Sequence, residues 1–369
     1  MLSKFKVKNF KNFKEELVFD LGDTKNYEFN SECVNNNIVK KALIYGRNGT
    51  GKSNLGYALF DLISHLSNKN SGSGEYQHYL NAWSDNPLAE FVYEFQYEDN
   101  FMIYKYGKID HETLIYENLS INGCECLAID RRASTEAIFG FEGTEHLKTD
   151  LKDSKISLVN YIKNNAVLAQ NETTDCFFKF VKFVEGMLFF RSLHTNNFIG
   201  LEQGAARILP DIITRGNVPD FEAFLNEAGV DCKIDVIDDG KESGLGFVFD
   251  DNIIPFYEIA STGTRSLTLF YFWLQRMREN DAVSFVFIDE YDAFYHHELS
   301  DFLISKLKEL KQQVILTTHN TTIMSSDILR PDCNFIMTDI SISPISSLTQ
   351  KELRSSHNIE KMYRAGSFK

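Results

Sequence analysis

The stretch GRNGTGKS, Gly46 to Ser53, fits the pattern G-x-x-x-x-G-K-[ST], and its flanks decide what it is. Before it, ALIY (Ala42 to Tyr45) reads as a short buried strand. After it, LGYALFDLISHL has helical spacing, with Leu55, Leu59, Leu62, Ile63 and Leu66 on or near one face. Strand, glycine loop and helix in that order let successive amides converge on a phosphate at a helix N-terminus. Lys52 is then expected to reach the terminal phosphates and Ser53 to ligate magnesium. Gly46, Arg47, Asn48, Gly49, Thr50, Gly51, Lys52, Ser53 and Asn54 are the candidate nucleotide-binding residues.

Hydrolysis of a bound nucleotide needs a carboxylate for the metal and a group to activate water. FVFIDEYDAFYHH supplies both: a buried strand that ends in Asp289 and Glu290, where ligands collect in parallel sheets. Asp289 is the expected metal carboxylate and Glu290 the expected base. The next apolar run, VILTTH, ends in His319, placed to sense a γ-phosphate. His296 and His297 lack a companion cluster that would make a zinc site, so a helix-start or interface role is expected. Upstream, EIASTGTRSLTLFYFWLQRM (Glu258 to Met277) joins a small polar turn to an apolar run. Ser261 or Thr262 can cap a helix there, and the same exposed amides could meet an anion.

The wider composition sets the frame. The 369 residues suggest two domains, or one with a large insertion, and 43% hydrophobic residues with only six prolines describe an ordered chain. A net charge of −14 gives no indication of nucleic-acid binding through bulk electrostatics, although a local basic groove would still permit it. Six scattered cysteines show no C-x-x-C pair. No segment reaches the roughly 18 uninterrupted apolar residues of a membrane span, and the basic start MLSKFKVKNFKNF alternates like a strand instead of forming a secretory core. A soluble, cytoplasmic protein with reduced thiols is the expectation.

Along the chain, residues 1–153 read as a first lobe with the phosphate loop and a β-rich arm, in which Phe91 to Tyr97, Phe101 to Tyr106 and Thr113 to Ile121 alternate as antiparallel strands. Residues 154–228 read as a helical insertion, with Arg191 to Gly204 irregular. Residues 229–345 form a second lobe, opening with a hairpin of CKIDVID and GLGFVF and carrying the polar turn, the acidic strand and His319. Residues 346–369 read as a helical tail, with a helix expected over Lys351 to Arg364.

Taken in order, GRNGTGKS, STGTRS, FVFIDE and TTHN resemble the motif series of ATP-binding-cassette ATPases. The resemblance implies an α/β P-loop fold with a mixed-sheet head, an antiparallel β arm and a helical insertion, using ATP and Mg2+. Gly46 to Ser53 would be the Walker A loop, Asp289 the Walker B carboxylate, Glu290 the catalytic glutamate and His319 the switch histidine. Ser261, Gly263 and Thr264 would be the signature that binds nucleotide held by a second subunit, with Thr262 in place of the usual glycine, as in SMC-like and OLD-like branches. DAFYHH (Asp292 to His297) would be the D-loop at the dimer interface, and Gln77, Asn81 and Gln96 are the Q-loop candidates.

VKNFKNF is similar to the start of SMC- and RecF-like ATPases. No heptad repeat for long coiled-coil arms is visible, and the chain stops about fifty residues past His319, short of a TOPRIM nuclease. The remaining resemblance is to stand-alone anti-phage ATPases such as the PARIS ATPase subunit. It implies a head-to-tail homodimer or higher oligomer around ATP, regulating a separate nuclease or toxin effector, with no membrane role. The alternative is a RecF- or SMC-like ATPase acting on DNA directly.

Overall fold

The computed structural model describes the chain apart from residues 68–72, 153, 193–196, 201–206, 239–242, 280–281, 294–296 and 369. One seven-stranded sheet forms the head, in the order Asn197–Gly200, Met187–Ser192, Phe285–Ile288, Gln313–Thr318, Lys41–Gly46, Asn334–Met337 and Ile342–Pro344. Its five inner strands are parallel and its two outer strands antiparallel. Strands buried on both faces need apolar residues at every position, which is why ALIY and FVFI show no alternation. The registers pair Ile288 with Leu316 and Thr318 with Tyr45, so the strands preceding Gly46, Asp289 and His319 all end on one edge of the head.

The second seven-stranded sheet is antiparallel throughout: Ile138–Phe139, Cys124–Asp130, Leu114–Ile121, Asn100–Lys108, Ala89–Tyr97, Leu2–Lys8 and Leu17–Asp20. This is the expected β arm, extended by the N-terminal strands, with Phe5 opposite Tyr93 and Val7 opposite Phe91. The fold is thus α/β, a mixed-sheet head with an antiparallel arm and inserted helices. The second-lobe hairpin is a three-stranded sheet, Ile234–Asp238, Ser243–Phe249 and Asn252–Pro255.

The helix Lys52–Phe60 lies between the two sheets. On one side, a Cβ added to Gly56 would come within 2.8 Å of both Phe189 and Phe287 of the head, so only glycine permits that approach. On the other, Tyr93 Oη of the arm donates to Ala58 O at 2.9 Å. Leu55 to Phe60 are buried without a polar face, so the one-faced helix expected from the leucine spacing is buried on all sides. Just past the helix, the fully buried Asp61 accepts from Tyr79 and Tyr106 at 3.0 Å and pairs with Lys108 at 2.8 Å. This ties the helix end to the arm.

Three further expectations change. The stretch expected to be helical, Ser154 to Ala228, contains the helices Leu158–Asn165, Glu172–Glu185, Ile208–Thr214 and Val218–Glu227, but also two head strands in its middle. Gly186 ends the second helix, and MLFF, apolar at every position, continues as a parallel strand beside Phe285–Ile288. Arg191 to Gly204, expected to be irregular, includes the edge strand Asn197–Gly200, whereas 193–196 and 201–204 lie outside the described residues. At the C-terminus the helix spans Ile359–Arg364, capped by Asn358, and does not begin at Lys351. No helix among the described residues is long and apolar enough to cross a membrane.

Candidate functional site

Gly46 closes its strand, and Arg47, Asn48 and Gly49 lie exposed before the helix that begins at Lys52. Gly49 and Gly51 take φ of +86° and +97°. Thr50 folds the loop onto itself, its hydroxyl donating to Arg47 O at 2.9 Å. The helix has Gly51 at its N-cap and no side-chain cap, so the first-turn amides of Lys52, Ser53 and Asn54 keep their donors for an anion. The buried Lys52 ammonium curls under the loop, donating to Gly46 O at 2.7 Å and Arg47 O at 3.2 Å. Burial lowers its pKa, opposed by the charges of Asp289, Glu290 and Asp292.

Asp289 follows the strand Phe285–Ile288 and is buried. Burial and the Glu290 charge raise its pKa, while hydrogen bonds from Ser53 and Thr317 and the charge of Lys52 pull the other way. Ser53, 236 positions away in the chain, is close enough to pull the Asp289 pKa down, so two side chains expected at the metal are neighbours. A hydroxyl and a desolvated carboxylate side by side are hard oxygen donors of the kind magnesium takes, so the donor set fits that ion.

Glu290 is exposed and has φ +45°, a left-handed conformation that costs a glutamate of order 1–3 kcal/mol and clusters at functional sites. His319 is exposed one residue beyond Gln313–Thr318. Asp292 is buried, accepts from Thr318 Oγ1 at 2.8 Å and feels the His319 charge. Thus Gly46–Asn54, Asp289, Glu290 and His319 gather at one sheet edge. His296 and the side chain of His297 lie outside the described residues.

The Ser261 turn shares no hydrogen bond with this cluster among the described residues. Ser261 Oγ accepts from Thr264 N–H at 3.1 Å and shares a 2.8 Å hydrogen bond with Thr264 Oγ1, so it caps the helix Thr262–Glu279. Ser261 and Thr262 are exposed, Gly263 half-buried and Thr264 buried. Further along the same helix, Trp273 packs on Phe190 of the head at 5.4 Å and Tyr271 on Phe224 at 5.2 Å, which anchors the helix in the core. Ser261 and Thr264 line a cavity of about 480 Å³ with Cys232, Phe249 and Ile259.

Of the Q-loop candidates, Asn81 donates to Lys11 O at 2.7 Å, Gln96 donates to Glu98 O at 2.6 Å, and Gln77 is exposed. Two residues beyond the motifs enter the site. Asn12 Nδ2 donates to Thr50 O at 3.4 Å and its Oδ1 accepts from Asn54 Nδ2 at 2.7 Å, bracing the loop from the N-terminal turn. Thr317 touches both Asp289 and Glu290.

Residues 211–325 match the family model described as "AAA domain, putative AbiEii toxin, Type IV TA system". The span holds Ser261, Asp289, Glu290 and His319, and leaves out Gly46–Ser53. No curated protein matches the chain. Among solved structures, the chain is similar to an Smc head bound to the C-winged helix domain of ScpA, at 15% identity and TM-score 0.48, covering 93% of this chain and 96% of that one. It is also similar to the SMC head domain from Thermotoga maritima, at 14% identity and TM-score 0.44, covering 93% and 98%. A third is the recombination mediator RecF with ATP from the RecFOR pathway, at 13% identity and TM-score 0.39, again covering 93% and 98%.

Proposed function

We propose that the protein binds ATP with Mg2+ on Gly46–Asn54 and hydrolyses it, pairing head to tail with a second copy whose Ser261, Gly263 and Thr264 close the site. The observation that carries this reading is the gathering of Gly46–Ser53, Asp289 and Glu290 at one edge of the head, with the Lys52 ammonium beneath the loop and Ser53 near Asp289. Lys52 and the first-turn amides hold the phosphates. Ser53 and Asp289 hold Mg2+, which supplies charge neutralisation at the phosphates. Glu290 takes a proton from water as the water oxygen bonds to the γ-phosphorus; the bond to the β–γ bridging oxygen breaks and that oxygen leaves on ADP. His319 lies at the same edge to contact the γ-phosphate.

The signature role of Ser261 follows from its exposed turn. Ser261 and Thr262 are exposed at the start of their helix, which leaves the turn open to a nucleotide held by a partner. ATP then acts as a clamp between copies, and its hydrolysis as the release. We further propose that this cycle governs a separate nuclease or toxin effector in anti-phage defence. The motif series and the toxin–antitoxin description of the model matching 211–325 support that role.

Complementation tests the composite site. Lys52→Ala and Ser261→Arg chains should each be inactive alone, because each spoils every site of its own homodimer. Mixed together, they should recover ATP hydrolysis through the site made of one intact Walker A loop and one intact signature. No recovery on mixing, with both chains folded, would refute the head-to-tail arrangement. Duplex DNA binding at physiological salt as tight as that of specific DNA-binding proteins would favour the RecF- or SMC-like alternative.

A further inference from the structure

We infer that Thr317 is a positioning residue that orients both carboxylates of the Asp289–Glu290 pair through one hydroxyl, an inference that rests on the hydrolytic reading above. Thr317 and Thr318 are fully buried at the end of the strand Gln313–Thr318, in a run that is otherwise apolar after Gln313. Buried hydroxyls in such a strand must find partners. Thr317 Oγ1 accepts from Glu290 N–H at 2.8 Å and lies 2.5 Å from Asp289 Oδ1. A hydroxyl has one proton, and the amide can only donate, so the Thr317 proton goes to Asp289. That direction requires an accepting oxygen on Asp289 and leaves the rest of the carboxylate to Ser53 and the metal.

The same threonine fixes the backbone that aims Glu290. Tyr291 N–H donates to Thr317 O at 3.2 Å, so two successive amides of the acidic turn dock on one residue. Between them Glu290 takes its left-handed φ of +45° with its side chain exposed. Thr318 repeats the device for the next acid: its hydroxyl donates to Asp292 Oδ2 at 2.8 Å and accepts from Asn320 N–H at 2.9 Å. His319 is two residues beyond Thr317. One strand end therefore sets the metal carboxylate, the base and the histidine together, which explains why threonines replace aliphatic residues there.

The test is a pair of variants that separate hydroxyl from methyl. Thr317→Val keeps the shape and loses both hydrogen bonds; Thr317→Ser keeps the hydroxyl and loses only packing. Thr317→Val should lower kcat for ATP by about ten-fold or more with KM within about two-fold, and Thr317→Ser should stay within about three-fold of the native kcat. Amide hydrogen exchange of the segment containing Glu290 should quicken in Thr317→Val and not in Thr317→Ser. Native kcat in Thr317→Val, or equal loss in both variants, overturns the inference. If the native protein releases no phosphate from ATP, the hydrolytic reading fails by itself; exchange at Glu290 unchanged by Thr317→Val then overturns the positioning role of Thr317 independently. Should Thr317→Val not fold, impaired hydrolysis in a folded Thr317→Ser overturns it as well.

Discussion

Replacing Gly51 by alanine should damage the phosphate loop through one identifiable neighbour, Asn12. Gly51 has φ +97° and ψ 18°, and a left-handed backbone costs an L-residue roughly 1–2 kcal/mol. The new Cβ would stand 2.4 Å from Asn12 Nδ2 and 2.8 Å from its Oδ1, closer than real contacts allow, so Asn12 must swing away. It then gives up its bond from Asn54 at 2.7 Å, worth about 0.5–1.5 kcal/mol net, and the longer one to Thr50 O. The expected loss is about 2–3 kcal/mol. In an Asn12→Ala background the clash and both bonds are already gone, so Gly51→Ala should cost only the backbone part, about 1–2 kcal/mol. A double-mutant cycle from urea midpoints at constant m should therefore show a coupling of about 1 kcal/mol. Additive effects would refute the bracing of the loop by Asn12.

Two further predictions concern buried charges. Burial pushes the Lys41 ammonium, at the start of the phosphate-loop strand, down to about 6. Its folded value lies below the unfolded one, so its unfavourable contribution is complete below about pH 6 and fades as pH rises toward 10.5. Lys41→Met should raise the melting temperature more near pH 7 than near pH 10; an equal gain at both would contradict the assignment. At Asp61, burial pushes the carboxyl upward, but the Lys108 charge and His111, 3.6 Å away, outweigh it and hold the group ionised. Asp61→Asn strands the Lys108 charge and should cost about 3–5 kcal/mol in chemical denaturation, part of which Lys108→Met should restore in the double variant.

How much of this was legible in the sequence follows from range. Gly46–Ser53 was legible because strand, loop and helix are local, and FVFIDE and VILTTH because a doubly buried strand ending in polar residues leaves a one-dimensional mark. Met187–Ser192 was not legible, since an apolar run after an amphipathic helix looks the same as more helix until Gly186 is seen to end it. The all-round burial of Leu55 to Phe60 also escaped, because it depends on an arm whose strands come later in the chain. Asn12 meets its partners 38 and 42 residues away, and no motif announces an asparagine in that role. Thr317 did leave a trace: two adjacent threonines in a core strand demand partners, and asking which would have pointed to the neighbouring acidic turn.

The most direct test of the whole account is the mass of Glu290→Gln protein in solution with ATP and Mg2+, measured by light scattering on a sizing column. With Asp289, Ser53 and Lys52 intact and the base gone, ATP should bind without turnover and hold two chains together. An ATP-bound dimer or larger assembly, absent with ADP, is the predicted result. Glu290→Gln protein that binds ATP and remains a monomer would contradict the clamp.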